Sequence, residues 1–115
     1  MSVANHLDRT LLALADPIRR GVVDLLRREP RQAGELAELL DVSRPAMSRH
    51  LRVLRQSGLV SESSPEEDAR GRLYRLERAR FDELRAWIDE VEAFWGEQLQ
   101  AFKAHAERRA KSKKP

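Results

Sequence analysis

Between Val42 and Ser61 the sequence contains no aspartate or glutamate, although charged residues make up 36% of its 115 positions. Arg44, Arg49, Arg52 and Arg55 fall inside that gap, together with His50. Guanidinium groups bind phosphate oxygens and guanine edges through paired N–H donors. An acid-free run in a protein of otherwise mixed charge therefore suggests a surface meant for a polyanion. For an arginine-rich segment taken alone, a merely solvated face is the ordinary alternative. The neighbouring elements have to decide between the two.

Other chemistries find little support. There are no paired carboxylates in an apolar setting, no nucleophile–base spacing and no glycine-rich phosphate loop, so no enzyme activity is expected. The absence of cysteine excludes disulfides, thiolate metal sites and cysteine nucleophiles, and is compatible with a reducing cytoplasm. His6 and His105 are isolated and read as ordinary surface residues, so neither a metal site nor a cofactor is expected. No apolar run approaches a membrane span, and the first residues lack a basic stretch followed by an apolar one. The expectation is a cytoplasmic protein that is neither exported nor embedded. A net charge of +3 and 41% hydrophobic residues suit one globular domain with a modest core and a weak bias toward anionic partners.

The arginines need a scaffold, and Ser43 to Gly58 supplies one. Ser43 is a good N-cap, Pro45 is tolerated in a first helical turn, and Gly58 is a common terminator. At about 100° per residue, Met47, Leu51 and Leu54 share one stripe. Pro45, Arg49, Arg52 and Gln56 point the opposite way, flanked by Arg44, Ser48 and Arg55.

Upstream, Val3, Leu7, Leu11 and Leu14 mark the inner face of a first helix ending near Ala15. Asp16-Pro17 caps a second helix, whose stripe is Ile18, Val22, Leu25 and Leu26 and which stops near Glu29-Pro30. Off that stripe, Arg19 and Arg20 are either solvated or phosphate contacts, and Arg27 is read as solvated. A third helix runs from about Ala33 to Leu40 with Leu36, Ala37 and Leu40 inward. Asp41-Val42-Ser43 leaves room only for a tight turn, which makes a helix-turn-helix with the arginine-bearing segment as its second helix.

After Gly58 the pattern becomes extended. Leu59–Ser64 and Arg72–Leu76 predict a hairpin, or wing, around the polar loop 65–71. Arg70, Arg72 and Arg75 could reach phosphate or a minor groove, whereas Glu66, Glu67 and Asp68 would be repelled. The contacts assigned to the wing are therefore Arg70 and Arg72.

From about Arg80 to Glu107, Phe81, Leu84, Ile88, Val91, Trp95, Leu99 and Phe102 recur every three or four residues, with Trp87 and Phe94 widening the stripe. Such a helix is longer than a small winged core can cover. A second copy of the chain is the simplest partner, through Trp87, Val91, Phe94, Trp95, Leu99 and Phe102. An aromatic stripe at helical spacing is core by default, so no effector pocket is assigned near Trp87 and Trp95. Residues 1–107 thus form the domain, with 80–107 as its dimerisation helix. Residues 108–115 form a basic tail with nothing to bury, expected to be disordered.

Taken in order, these blocks resemble a known family. Asp16-Pro17-Ile18-Arg19-Arg20, Gly34-Glu35-Leu36-Ala37, Val42 to Leu51, Leu54 to Val60 and Gly71 to Leu76 look like successive motifs of ArsR-type winged-helix regulators. The resemblance covers roughly Leu7 to Leu76. It implies a mainly α fold of four helices, a two-stranded β wing and a long fifth helix. It also implies a bacterial or archaeal homodimer, usually a repressor, on an inverted repeat. The family's recognition contacts map onto Arg44, Pro45, Ser48, Arg49 and His50, to which the outer-face residue Arg52 is added. The family's thiolate metal sites have no counterpart in Ala33 to Leu39, and its terminal-helix sites have only Asp82-Glu83-Leu84 and His105, so a non-metal-sensing type is expected. Three alternatives remain open: a winged-helix module for protein, one for RNA, or a metal- or small-molecule-responsive sensor with an unidentified effector.

Overall fold

The computed structural model describes residues 5–64, 66, 67, 69 and 71–112. The elements are α1 (Asn5–Leu14), α2 (Pro17–Leu26), α3 (Ala33–Leu39), α4 (Arg44–Gln56), β1 (Val60–Glu62), β2 (Tyr74–Leu76) and α5 (Ala79–Ser112). This is a mainly helical winged helix-turn-helix. By its contacts the chain divides into one unit up to Leu84 and a second from Arg85 onward.

Within the first unit, α2 to α4 surround a core of Val22, Leu26, Leu36, Ala37, Met47, Leu51, Leu54, Leu59 and Val60, with Ala13 from α1. Burying each large aliphatic side chain there contributes about 1.5–3 kcal/mol before chain entropy is counted. Local sequence fixes the helix ends. Asp16 accepts from the backbone N–H groups of Ile18 and Arg19 at 2.8 and 3.2 Å, and Ser43 accepts from that of Ala46 at 3.2 Å. At the start of α3, Glu35 reaches back to accept from the backbone N–H of Gln32.

The two helices of the helix-turn-helix end in the same hydrogen-bonded form. Val42 N–H donates to Ala37 O and Asp41 N–H to Glu38 O; Leu59 N–H donates to Leu54 O and Gly58 N–H to Arg55 O. Each ending is a Schellman motif, which requires a left-handed residue just past the helix. Gly58 supplies it at φ 81° and Asp41 at φ 54°. The tight turn read at Asp41-Val42-Ser43 therefore forms without glycine, because a short polar side chain tolerates this region.

Several expectations need correction. Val3 lies outside the described residues, and Leu11 is 40% exposed rather than inward. The buried positions of α1 are Thr10 and Ala13. The Thr10 hydroxyl donates to His6 O within its own helix, which lets a polar residue face the core without an unpaired donor. Helix α2 ends at Leu26, before the expected stop near Pro30.

The strands are shorter than expected, since the Ser63 hydroxyl accepts the Leu73 N–H in place of a backbone carbonyl and breaks the regular ladder. They pair Val60 with Leu76, Ser61 with Arg75 and Glu62 with Tyr74. On its other edge Tyr74 exchanges backbone hydrogen bonds with Arg31, at 2.8 and 3.1 Å, an extended contact that sequence reading missed.

Helix α5 also outlasts its apolar stripe. It continues through 108–112, where a disordered tail was expected. Glu107, Arg108, Arg109, Ala110 and Lys111 are strong helix formers, and Arg109 and Lys111 complement the negative end of the helix dipole.

Candidate nucleic-acid interface

The acid-free stretch folds into α4 with the expected sidedness. Met47, Leu51 and Leu54 are fully buried, while Arg44, Pro45, Ser48, Arg49, Arg52, Arg55 and Gln56 are exposed. Arg49 and Arg52 form no hydrogen bond or ion pair with any described residue. Arg44 leans back over the start of α3, so close that a Cβ at Gly34 would come within 2.8 Å of its guanidinium.

His50 departs from the rest of the set. It is half-buried and turned toward α2, with its Nδ1 3.2 Å from Arg19 Nη1. A guanidinium only donates, so the ring nitrogen accepts here. The same Arg19 donates from Nε to Ala13 O at 2.7 Å and from Nη2 to Leu12 O, and Arg20 donates to Leu14 O at 2.8 Å. Both arginines thus hold the carbonyl end of α1, where the helix dipole favours cations. Arg19 ties α1 and α2 to the recognition helix, a positioning role that sequence reading left between solvent and phosphate. Arg27 stands exposed beside Asp24, as expected of a solvated residue.

Asp16 secures the start of the segment that carries Arg19. Burial pushes its carboxyl pKa up, but hydrogen bonds from the Arg19 and Ile18 backbone, helped by the charge of Arg19, outweigh that and hold it below its ordinary value.

On the wing side of α4 the charges converge on Glu62. Its carboxylate accepts from Arg55 at 3.3 Å and from Arg72 at 3.1 Å. The strand register explains the meeting: Glu62 lies opposite Tyr74, and Arg72, two residues before Tyr74, points to the same side of the hairpin. Burial first, then hydrogen bonding to Glu62, raises the Tyr74 phenol above its ordinary pKa. Sequence reading assigned Arg72 to DNA without its acidic partner, although Glu62 is the first acid after the arginine-rich run. Arg70 lies outside the described residues.

The aromatic positions assigned to self-association are all accessible. Trp87, Val91, Phe94, Trp95, Leu99 and Phe102 line α5 unburied, with Trp95 62% and Phe102 73% exposed. His6 sits 4.0 Å from Glu83, and among the described residues no group of three or more His, Cys, Asp or Glu side chains could hold a metal ion. A cleft of about 490 Å³ opens between Arg9 and Leu12 of α1 and Val53 and Gln56 of α4. No described helix is long and apolar enough to cross a membrane.

Comparison with known proteins agrees with this geometry. A family model described as a helix-turn-helix domain matches residues 14–62. The chain is 38% identical over 102 residues to the HTH-type transcriptional regulator Rv2034 of Mycobacterium tuberculosis, covering 89% of this chain and 90% of that protein. It is 36% identical over 56 residues to the transcriptional repressor SdpR of Bacillus subtilis, covering 49% of this chain and 62% of SdpR. Among solved structures it is similar to an ArsR-like transcriptional regulator from Rhodococcus sp. RHA1. That likeness has a TM-score of 0.77 and 31% identity, over 94% of this chain and 98% of the other.

Proposed function

This chain belongs to the ArsR family of winged helix-turn-helix, DNA-binding transcriptional regulators, and from that premise we propose that it acts as a homodimeric repressor on an inverted-repeat operator. The observation that carries the reading is the sidedness of α4, which buries Met47, Leu51 and Leu54 and turns an acid-free, arginine-bearing face outward. A helix of this kind fits the major groove, with its first turns nearest the base edges. Ser48 and Arg49 then read bases, while Arg44, Arg52 and Arg72 hold phosphates and fix the register. Pro45 shapes the helix start without donating. His50, drawn toward Arg19, sets the angle of the helix rather than touching a base.

Self-association follows from α5. Large apolar side chains from Trp87 to Phe102 line one uncovered stripe, and an identical helix matches it in length and spacing. Two subunits joined there present two recognition helices about one turn of DNA apart, and a dimer seated on a promoter represses by occlusion. With no cysteine in the chain, a thiolate metal switch does not apply.

Selection of bound sites from a random duplex pool tests the reading. Recovery of a two-fold symmetric sequence with half-sites one helical turn apart is the expected result. A recovered pool without symmetry or base preference would remove both the dimeric mode and the base-reading roles of Ser48 and Arg49.

A further inference from the structure

The exposed arginines of the interface fall into two groups. Arg49 and Arg52 make no ion pair with a described residue, whereas Arg55 and Arg72 share one carboxylate, that of Glu62. The Glu62 side chain is only 17% exposed, against 50% for Arg55 and 66% for Arg72. The acid is therefore seated beneath two guanidinium groups that can still swing outward. Tyr74 lies opposite it in the hairpin register. One acid thus joins the last turn of the recognition helix to the wing, and its single negative charge offsets one of the two positive charges it holds.

We propose that Glu62 is a specificity-determining residue: it competes with DNA phosphate for Arg55 and Arg72, and so weakens binding to arbitrary duplex more than binding to the operator. This rests on the DNA-binding mode given under Proposed function. Exposed arginine–carboxylate pairs are weak enough to exchange for phosphate contacts, so the competition is close to balanced. Arbitrary duplex offers only phosphate charge, and lowering the net charge of this arginine pair by one removes a corresponding share of the attraction. An operator also offers base edges to Ser48 and Arg49, contacts that Glu62 does not touch and that can offset breaking its ion pairs.

The test measures affinity of the full chain for a selected operator and for a scrambled duplex over a range of salt concentrations. For Glu62→Gln, the slope of log affinity against log salt on the scrambled duplex is expected to steepen by about 1 per subunit. Affinity for that duplex at low salt should rise about tenfold, against about threefold or less for the operator. Glu67→Gln makes the same charge change on the hairpin without touching either arginine, and should shift both duplexes equally and slightly. Glu62→Asp, which keeps the charge but shortens the reach to both guanidinium groups, should raise scrambled-duplex affinity by a smaller factor in the same direction; this arm stands even if Glu62→Gln folds poorly.

An unchanged slope and ratio in a folded Glu62→Gln, a response matching Glu67→Gln, or loss of both affinities would overturn the proposal. So would an unchanged or lowered scrambled-duplex affinity in the Glu62→Asp arm. If the wild-type chain itself fails to distinguish operator from scrambled duplex, the DNA-binding mode fails and this inference with it. If it does distinguish them and Glu62→Gln alters nothing, only the role of Glu62 is lost.

Discussion

In the unit ending at Leu84, Leu54 is wholly inaccessible to solvent; in the stretch of α5 beyond it, Trp95 is 62% exposed and Phe102 73%. Both regions follow helical periodicity, and both carry large apolar side chains every three or four residues. The first has several helices and a hairpin to converge on one core, so its apolar stripes meet one another. The second is a single helix, of 28 residues from Arg85 to Ser112 within the 34 of α5, and its stripe meets nothing in its own unit. Periodicity therefore reports that a face is built for burial without saying by what. The body buries its apolar residues within itself, whereas the helix leaves Trp95 and Phe102 exposed.

The largest effect that separates the two regions is on stability. Leu54→Ala should destabilise the body by about 2–5 kcal/mol, read as a lower urea midpoint that does not depend on protein concentration. Trp95→Glu should instead weaken self-association by about 2 kcal/mol or more, because a charge would enter the apolar contact, while leaving the body's melting in dilute solution intact. Sedimentation equilibrium reads this directly. A Trp95→Glu variant that stays dimeric would place the interface elsewhere and dissolve the contrast.

Arg49→Ala touches neither the core nor the dimer stripe. It should cost about 1–3 kcal/mol on the operator and relax base preference at one position, as titrations against single-base operator variants would show. An equal loss on scrambled DNA would make Arg49 a phosphate contact.

The smallest effect concerns the cap at Asp16. Asp16→Ala should cost about 1 kcal/mol at neutral pH. Because the folded carboxyl is held below its ordinary pKa, that contribution is present above the unfolded value, about 3.9, and is lost as pH falls through the lower folded value. Urea midpoints for wild type and variant should differ at pH 7 and converge in strong acid.

Much of this was legible from residue order. The recognition helix was marked by Ser43, Pro45 and Gly58 at its ends and by the spacing of Met47, Leu51 and Leu54 within it. All of these are local signals, and the structure places that helix as the spacing implied. What escaped sequence reading depends on partners distant in the chain or on hydroxyl groups that satisfy themselves. Arg19 acts on His50, 31 residues away, and Tyr74 pairs with Arg31, neither of which periodicity registers. Thr10 faces the core because its hydroxyl donates to a carbonyl of its own helix, whereas a count of apolar residues points to Leu11. Glu62 was visible as a residue but not as the meeting point of Arg55 and Arg72, since only the hairpin register brings them together. At residues 108–112 the apolar stripe has already ended, and intrinsic propensity carries the helix on to Ser112.

The central claim is that two recognition helices, fixed by one dimer contact, engage two half-sites on the same face of DNA. Inserting five base pairs between the half-sites of the selected operator turns one of them to the opposite face. The account expects affinity to fall by about 100-fold, with occupancy reduced to a single half-site contact. Undiminished binding to the lengthened site would contradict it.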